Sequence, residues 1–538
     1  MKIIIDNNSK WETTQVGDYL VHYIGLYKEL LPLLKKISDL EGVPQKESID
    51  CLLDKLPMPS AVIMESKQSI IAFTDHFRCY PLFYTTVNGG AISNSARKLA
   101  KIYSLHNWDI LSANELMMAG YVTGADTLIQ GLRQFQTGES MIVNKGDNRI
   151  NVSRYYRYSP APEEGKSDDD WVEELDIIMN GVTQRMIDRA NGRLIMAPLS
   201  AGLDSRLLVC KLHEAGYSNL ETFSYGPPGN WEARGAQTVA KRLNLLWRLI
   251  ATSRKKARQM FWAPERKAYW NFSDGLSALP NFQEYYTISK LYSIGKLPKE
   301  TIFINGQTGD FITGGHIPKI LKEKNANVRT LLESITSKHY SLWKNLKTPE
   351  RLEQVEEKIL KLLDVSIDAK LTSGELMSLY ERWECEERQA KWVIHGQRAY
   401  DFFGYDWQLP LWDIELVKFY QRVPIHLKLD QRLYHLWLEK WDYNNLFRDF
   451  NPTVWRWPRA TLVVVPLAKV VEKILGKNAK QAWYEFFFYW GHTAEHYAPY
   501  SYKEYFDIRS DIRNSTALNG RAWAKENYLP VELIDVGQ

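Results

Sequence analysis

The sequence predicts a two-part protein: a strand-rich N-terminal region, followed by a parallel β-sheet with helices on both faces. Short runs rich in β-branched and aromatic residues, bounded by turn residues, predict strands at 60–66, 69–75, 82–87 and 138–144. Strands then alternate with helices between 193 and 251, which is the pattern of a parallel sheet with crossover helices. From about residue 328 onward the pattern is mostly helical.

A polar stretch, SPAPEEGKSDDD at 159–170, separates the two parts. It combines Pro, Gly and charge without apolar periodicity, so we interpret it as a linker. The acids at 168–170 begin a strongly periodic helix, where negative charge suits the positive end of the helix dipole. We therefore expect one domain at 1–158, a second at 171–445 and an extension at 446–538.

The pattern of strands and helices in the second part predicts where a ligand binds. Its strands are expected at 193–198, 221–226 and 246–251, with a further strand in 301–310 that ends in a turn. Its helices are expected at 205–216 and 232–244. The N-terminal part carries one clear helical pattern, at 113–122. Ligands of open parallel sheets bind beyond the carboxyl ends of the strands, so we expect the site in the turns that follow the strands.

Composition excludes several classes of protein. A formal net charge of +4 over 538 residues, without a basic block, gives no reason to expect nucleic-acid binding. Four widely separated cysteines fit a reducing cytoplasm and argue against a disulfide framework or a zinc cage. The N-terminal apolar run is too short for a signal peptide, and no window reaches the length of a membrane-spanning helix. We expect a cytoplasmic protein.

The turn in APLSAGLDSRLLV, at 197–209, is the first candidate site. A helix N-terminus offers unpaired N–H groups, Ala201 and Gly202 let the backbone approach an oxygen, and Ser200 and Ser205 add hydroxyls. Asp204 has the wrong charge for phosphate unless a cation such as Mg²⁺ lies between them. Taken alone, the stretch fits an ordinary strand-to-helix turn equally well.

Six further segments give the turn a context. LSAGLDS resembles the Ser-Gly-Gly-x-Asp-Ser pyrophosphate loop of the ATP pyrophosphatase superfamily, with Ala201 in place of one glycine. NGQTGDFITGGH at 305–316 resembles the asparagine synthetase signature Ser-Gly-Glu-Gly-x-Asp-Glu followed by Gly-Gly-Tyr. Further similar segments lie at 73–85, 120–139, 232–243 and 408–419, with YYRY at 155–158 before the linker. In this order and spacing, they make residues 1 to about 445 resemble the asparagine synthetase family.

The resemblance implies a fold and a nucleotide site. It implies an Ntn-hydrolase-like αββα sandwich, then an adenine-nucleotide α-hydrolase-like parallel sheet with a helical C-terminal region. ATP and Mg²⁺ are the implied cofactors, with Asp204 and Asp310 on the metal. The implied contacts to ATP are the pyrophosphate-loop residues Ser200, Ala201, Gly202 and Ser205, and the backbone at Leu199, Tyr225, Asn305 and Gly306.

Two departures from the family alter the expected chemistry. The family's glutaminase nucleophile is a cysteine directly after the initiator methionine, whereas this chain has Lys2 there. We expect no glutamine hydrolysis, and we interpret Cys79 as a small buried hydrophobe. Gln307 replaces the family's Glu and cannot act as a base, while Phe311 and His316 replace its Glu and Tyr. These changes predict a different carboxylate or nucleophile; His316 is interpreted either as a base or as a structural residue.

The family also carries a lysine, after Pro-x-x-x-Lys, that stabilises charge on the phosphates. Lys428 and Arg432 are the candidates in VPIHLKLDQRLYHLW at 423–437, and either cation would offset that charge. The alternative for both is a solvated basic face. The aromatic-rich residues 446–538 are expected to form a helical extension packed on the synthetase domain. The alternative is an interface for a membrane-bound substrate, a partner protein or a second copy.

The predicted function is an ATP-dependent ligase that adenylates a small-molecule, sugar or peptide carboxylate and transfers it to ammonia or an amine. Specialised metabolism and surface-polysaccharide synthesis are the expected settings. Two alternatives stay open: an asparagine synthetase that uses free ammonia, and a non-catalytic family member acting as a scaffold. Gln307 argues against the first alternative, and the retention of both Asp204 and Asp310 argues against the second.

Overall fold

A computed structural model of the protein describes residues 1–6, 10–295, 297–448, 461–487 and 499–530. The strands are β1 (Lys2–Ile4), β2 (Glu12–Val16), β3 (Tyr19–Ile24), β4 (Ala61–Glu65), β5 (Ser69–Thr74), β6 (Phe83–Thr85), β7 (Ala91–Ser93), β8 (Leu132–Gln134), β9 (Glu139–Asn144), β10 (Ile150–Arg154), β11 (Ile195–Pro198), β12 (Leu220–Gly226), β13 (Leu246–Ala251), β14 (Ile302–Ile304) and β15 (Asp406–Gln408). The predicted strands of the N-terminal part are thus observed as β4, β5, β6 and β9.

Helices cover the sheets and form most of the C-terminal half. They are α1 (Tyr27–Ser38), α2 (Lys46–Leu53), α3 (Ala96–Ile102), α4 (Ile110–Ala119), α5 (Asp168–Ala190), α6 (Leu203–Glu214), α7 (Trp231–Arg242), α8 (Arg254–Phe261), α9 (Pro264–Ser273), α10 (Phe282–Ile294), α11 (Gly309–Ile312), α12 (Val328–His339), α13 (Pro349–Leu363), α14 (Ser373–Trp383), α15 (Arg398–Phe402), α16 (Ile414–Arg422), α17 (Ile425–Lys428), α18 (Arg432–Trp441), α19 (Thr461–Leu475), α20 (Lys477–Phe487), α21 (Tyr502–Ile508) and α22 (Ser515–Glu526). A π-helical segment, Glu384–Val393, links α14 to a 3₁₀ turn before α15.

The N-terminal part contains two sheets that face one another. A four-stranded sheet has the order β1-β7-β6-β8, and a six-stranded sheet has the order β10-β9-β5-β4-β3-β2. Their inner faces share one apolar cluster, in which Ile63 and Ala72 of the larger sheet join Leu82 and Ile92 around the smaller one. Helices α1 and α2 cover the outer face of the larger sheet, and α3 packs on the smaller sheet.

The second part is built on five parallel strands in the order β13-β12-β11-β14-β15. The sequence locates β11, β12 and β13 within two residues, because β-branched and apolar runs alternate there with helical periodicity. The strand expected within 301–310, ending in a turn, agrees with the structure: β14 ends at Ile304, and the chain then turns into α11. The carboxyl ends of β11, β12 and β14 therefore open onto turns at one edge of the sheet.

Helix α5 ties the two parts together. Its N-terminus is a capping box, in which the Ser167 hydroxyl accepts from the Asp170 N–H and the Asp170 carboxylate accepts from the Ser167 N–H. Residues 155–167 carry no helix or strand, and α5 begins at Asp168, inside the stretch 159–170. The buried face of α5 belongs to the same apolar cluster as the N-terminal sheets, and Phe77 packs on Trp412 with ring centroids 4.4 Å apart. The two parts thus share one continuous core.

The aromatic-rich C-terminal region is helical where the structure describes it. Tyr500, Ile508, Leu518 and Trp523 pack into a core cluster that also contains Leu116 of α4. The described residues 499–530 thus pack on the N-terminal part and on the second part, whose Leu331 belongs to the same cluster. Of the extension expected at 446–538, residues 449–460, 488–498 and 531–538 lie outside the described residues. Of the helices that the structure describes, none combines the length and apolar character needed to cross a membrane.

Candidate functional site

A cleft of about 340 Å³ opens at the carboxyl ends of β11, β12 and β14. It is lined by Pro198, Leu199, Ser200, Gly202, Leu203, Asp204, Ser205, Phe223, Ser224, Tyr225, Glu232, Glu284, Asn305, Gly306, Gln307 and Asp310. The structure thus brings together all but one of the predicted nucleotide-site residues. The exception is Ala201, which sits in the same turn without lining the cleft.

The turn between β11 and α6 is held by its own hydroxyls. The Ser205 hydroxyl accepts from the Ser200 N–H at 3.0 Å, and the Ser200 hydroxyl accepts from the Gly202 N–H at 3.0 Å. Gly202 is the N-cap of α6 and supplies no side-chain cap, so the first N–H groups of the helix stay available to an anion. Ala201 has no positive φ, so its methyl group adds no backbone strain.

Two glycines let the second loop approach this turn. A Cβ at Gly306 would lie 2.8 Å from the Ser205 backbone nitrogen, and a Cβ at Gly309 would overlap the Asp204 carboxylate. The loop that carries Asp310 can therefore lie against Asp204 only because these residues have no side chain. This contact explains how two acids about a hundred residues apart in sequence come to line one cleft.

Asp204 is an acid of the cleft with a strongly raised pKa. Burial, and secondly the charge of Asp310, raise its pKa from 3.8 to about 7. The Tyr434 hydroxyl opposes this by donating to Asp204 Oδ1 at 2.9 Å, as does the Asp310 backbone N–H. A cation bound between the two acids would stabilise the ionised form of Asp204.

The donor set fits a magnesium ion that is shared with phosphate. Mg²⁺ is usually held by one or two carboxylates together with substrate phosphate oxygens. Asp204 and Asp310 supply that number of carboxylates, and the N-terminal end of α6 supplies the phosphate-binding groups. Within the described part of the chain, no group of three or more His, Cys, Asp or Glu side chains could hold a metal. Carboxylates alone therefore do not form a complete metal site here.

The two candidate cations lie in different environments. Arg432 is half-exposed and pairs with Asp168 at 2.8 Å, so it matches the solvated basic face and not the phosphate site. Lys428 is 1% exposed and pairs with Glu381, so a solvated face is wrong for this residue. Its backbone carbonyl lies against Gly314, which places Lys428 directly behind the loop of Asp310. Neither cation lines the cleft itself.

The residues that replace family positions have defined partners. Gln307 lines the cleft and accepts a hydrogen bond from Gln397 Nε2 at 2.7 Å. Phe311 is buried in the core. His316 Nδ1 lies 2.5 Å from Glu384 Oε1, and Lys338 lies 3.5 Å from the other oxygen of that carboxylate. These partners lower the pKa of the buried Glu384, although burial acts in the opposite direction. His316 thus belongs to a charged network outside the cleft lining.

Sequence reasoning missed several residues of the site. Tyr434, Glu284 and Gln397 contact or line the cleft, but no local pattern distinguishes them from core residues. The sequence does single out Thr308, because this residue stands where the family signature has its second glycine. Its φ is 86°, a conformation that is strained for a β-branched residue.

The Cys79 thiol of the N-terminal part is buried. Cys79 is 4% exposed, and its backbone N–H donates to Asp75 Oδ1 at 3.1 Å. Burial, and secondly the charge of Asp75, raise the pKa of the thiol well above its ordinary value. A thiol with a raised pKa is a poor nucleophile, so the interpretation of Cys79 as a buried hydrophobe agrees with its environment.

Comparison with known proteins points to one family. The model of the asparagine synthase family, described as "Asparagine synthase", matches residues 182–483, which is more than half of the chain. No curated protein sequence matches the chain. Among solved structures, it is similar to glutamine phosphoribosylpyrophosphate (PRPP) amidotransferase from B. subtilis complexed with ADP and GMP, at 9% identity and a TM-score of 0.18. That alignment covers 55% of this chain and 63% of that enzyme, so it spans less than two thirds of the relative and supports no structural argument.

The family match covers the cleft and both of its acids, Asp204 and Asp310. The family uses ATP, and a domain of this kind indicates an ATP-dependent ligase that forms amides. The chain belongs to the asparagine synthase family.

Proposed function

We propose that the protein adenylates the carboxylate of a substrate with ATP and then transfers the acyl group to ammonia or an amine. The observation that carries this proposal is the meeting of Asp204 and Asp310 at a helix N-terminus, in a cleft at the carboxyl edge of a parallel sheet. Such an edge with unpaired N–H groups suits a pyrophosphate, and the paired acids suit the magnesium ion that accompanies it.

The chain's own residues have separate tasks in this scheme. The hydroxyls and N–H groups of Ser200, Gly202 and Ser205 bind the β- and γ-phosphates. The backbone of Leu199, Tyr225, Asn305 and Gly306 holds the nucleoside end, as the lining of the cleft allows. Asp204 and Asp310 would hold Mg²⁺, which when bound offsets negative charge on the phosphate oxygens.

We assign Lys428 to stabilise the phosphates through its charge from behind the loop of Asp310, without lining the cleft, because Asp168 holds Arg432 on the surface. The substrate carboxylate attacks the α-phosphorus, the bond to the β-phosphate breaks, and pyrophosphate leaves with its electron pair. The nitrogen nucleophile then attacks the acyl carbon, loses a proton and displaces AMP. Buried positive charge behind the loop of Asp310 favours the first step, since negative charge accumulates on the departing pyrophosphate.

The amine does not come from glutamine hydrolysis by this chain under the proposal. Lys2 stands where the family has its nucleophilic cysteine, and Cys79 is a buried thiol with a raised pKa. The N-terminal sheets then serve as a platform: they share their apolar core with α5 and the parallel sheet. A glutaminase-inactive Ntn-like domain is our assignment for residues 1–158, and the cytoplasm is the compartment that the proposal requires.

The test is release of pyrophosphate from Mg·ATP across a panel of carboxylates, each offered with ammonia and with a set of primary amines. The panel contains aspartate, hexuronates and N-acylated peptides, so that a positive result also names the substrate class. We expect release with at least one carboxylate, and its loss in Asp204→Asn but not in Asp18→Asn, a control in an exposed turn. Release with aspartate and ammonia alone would identify an asparagine synthetase. Absence of release with every pair would refute the ligase proposal and favour a scaffold.

A further inference from the structure

A largely buried row of hydrogen-bonding side chains runs along the wall of the cleft and ends at Gln307. It begins at Glu284, whose Oε2 lies 2.9 Å from the Tyr400 hydroxyl, and the same hydroxyl lies 3.4 Å from Asn305 Oδ1. Asn305 Nδ2 donates to Gln397 Oε1 at 2.7 Å, and Gln397 Nε2 donates to Gln307 Oε1 at 2.7 Å. The first four members are at most 8% exposed, so water does not compete for these bonds.

The row has a direction. Each side-chain carbonyl accepts from the preceding residue, and each amide nitrogen donates to the next one. The Tyr400 hydroxyl donates to Glu284 Oε2 at 2.9 Å, and Asn305 Oδ1 lies 3.4 Å away as a second, more distant acceptor. From Asn305 onward both amide links run in the same sense, toward Gln307.

The row fixes how Gln307 faces the cleft. A carboxamide carries its oxygen and its nitrogen on opposite sides, and the oxygen of Gln307 is already engaged by the buried Gln397. The nitrogen is therefore the part of the half-buried side chain that is left for the cleft. Across the described residues, no side chain or backbone oxygen accepts from it. A glutamate at this position would present an acceptor, whereas this glutamine presents donors.

From this geometry we infer that Gln307 donates a hydrogen bond to the acyl oxygen of the adenylated carboxylate, and that Gln397 is the positioning residue that fixes the donor. The inference rests on the proposed adenylation and specifies how the acyl group is held. A donor at this place recognises a carboxylate or carbonyl oxygen. It gives no attraction to an ammonium group.

The test uses two nucleotide probes that differ by one acyl group: 5′-O-sulfamoyladenosine and 5′-O-(N-acetylsulfamoyl)adenosine. Calorimetric titration gives the affinity ratio of the two probes for each variant of the full chain. We expect the wild-type protein to prefer the acetylated probe. In Gln397→Glu the carboxylate accepts from both neighbours and turns the Gln307 oxygen toward the cleft, so the preference is expected to fall by about ten-fold or more. Gln307→Leu, which removes the donor, should reduce the preference for the acetylated probe to a similar extent.

Gln389→Leu is the matched control for Gln397→Leu. Both glutamines are buried, and Gln389 contacts Thr308, the neighbour of Gln307, at 3.3 Å. We expect Gln397→Leu to reduce the preference for the acetylated probe and Gln389→Leu to retain it. An unchanged ratio in the Gln397 and Gln307 variants would overturn the inference, as would equal loss of both probes. If the wild-type protein bound neither probe nor Mg·ATP, the proposed function itself would fail.

Discussion

Replacing Asp204 by asparagine should stabilise the ligand-free protein at alkaline pH while removing its nucleotide binding. The pKa of Asp204 is raised from 3.8 to about 7 by burial and by the charge of Asp310. The folded state therefore binds the proton of this group more tightly than the unfolded chain does. Stability from this residue is fully present below about pH 4 and is lost as the pH rises through 7.

The size of the effect follows from the shift. Three pH units correspond to about 4 kcal/mol, and about two thirds of that loss falls between pH 5 and pH 8. Asp204 lines an open cleft, where solvent screens part of this energy, so we expect about 2 kcal/mol over this interval. The asparagine side chain would keep the Tyr434 contact through its amide oxygen without carrying the charge.

The assay is thermal unfolding of the wild-type protein and Asp204→Asn in EDTA at pH 5 and pH 8. The advantage of the variant should grow by about 2 °C between the two pH values, given the unfolding entropy of a chain of this length. Asp18→Asn, in an exposed turn, should show no such growth. A constant difference between wild type and Asp204→Asn at both pH values would refute the reasoning, because the carboxylate would then already be ionised at pH 5.

Three further predictions test other parts of the site. Lys428→Met should lower pyrophosphate release by at least about a hundred-fold, whereas Arg432→Met should stay within about two-fold, as measured by steady-state rates; equal losses would contradict the assignment of Lys428. Thr308→Gly should relieve the strain of φ 86° and raise the free energy of unfolding by a net of about 1 kcal/mol. Thermal unfolding should then show a higher midpoint, and a lower midpoint would argue against strain. Gly309→Ala should abolish Mg·ATP binding in calorimetry, because its methyl would overlap the Asp204 carboxylate, and retained affinity would show that the loop does not close on this acid.

The sequence was informative wherever a local rule decides the outcome. Alternating apolar runs predicted β11, β12 and β13, and the turn after β11 was recognisable because a helix follows it within a few residues. The order of the signature segments indicated that Asp204 and Asp310 belong to one site. The close approach that brings them together depends on Gly306 and Gly309, and the first of these was part of the recognised signature.

The parts that could not be predicted depend on tertiary contacts. Lys428 and Arg432 lie four residues apart on similar helical patterns, yet burial against Glu381 and surface pairing with Asp168 separate them completely. The row from Glu284 to Gln307 joins residues from three distant segments, and none of them has a distinctive local pattern. Polar residues in a helix-rich stretch are normally interpreted as surface, so only the folded chain reveals a buried network.

The adenylation proposal depends on which bond of ATP the protein breaks. ³¹P NMR of a reaction with Mg·ATP, a productive carboxylate and its amine separates the two possible product pairs. Adenylation predicts AMP and pyrophosphate in equal amounts, with both absent in Asp204→Asn. ADP and inorganic phosphate as the products, or AMP formation that survives the Asp204 substitution, would contradict the central claim.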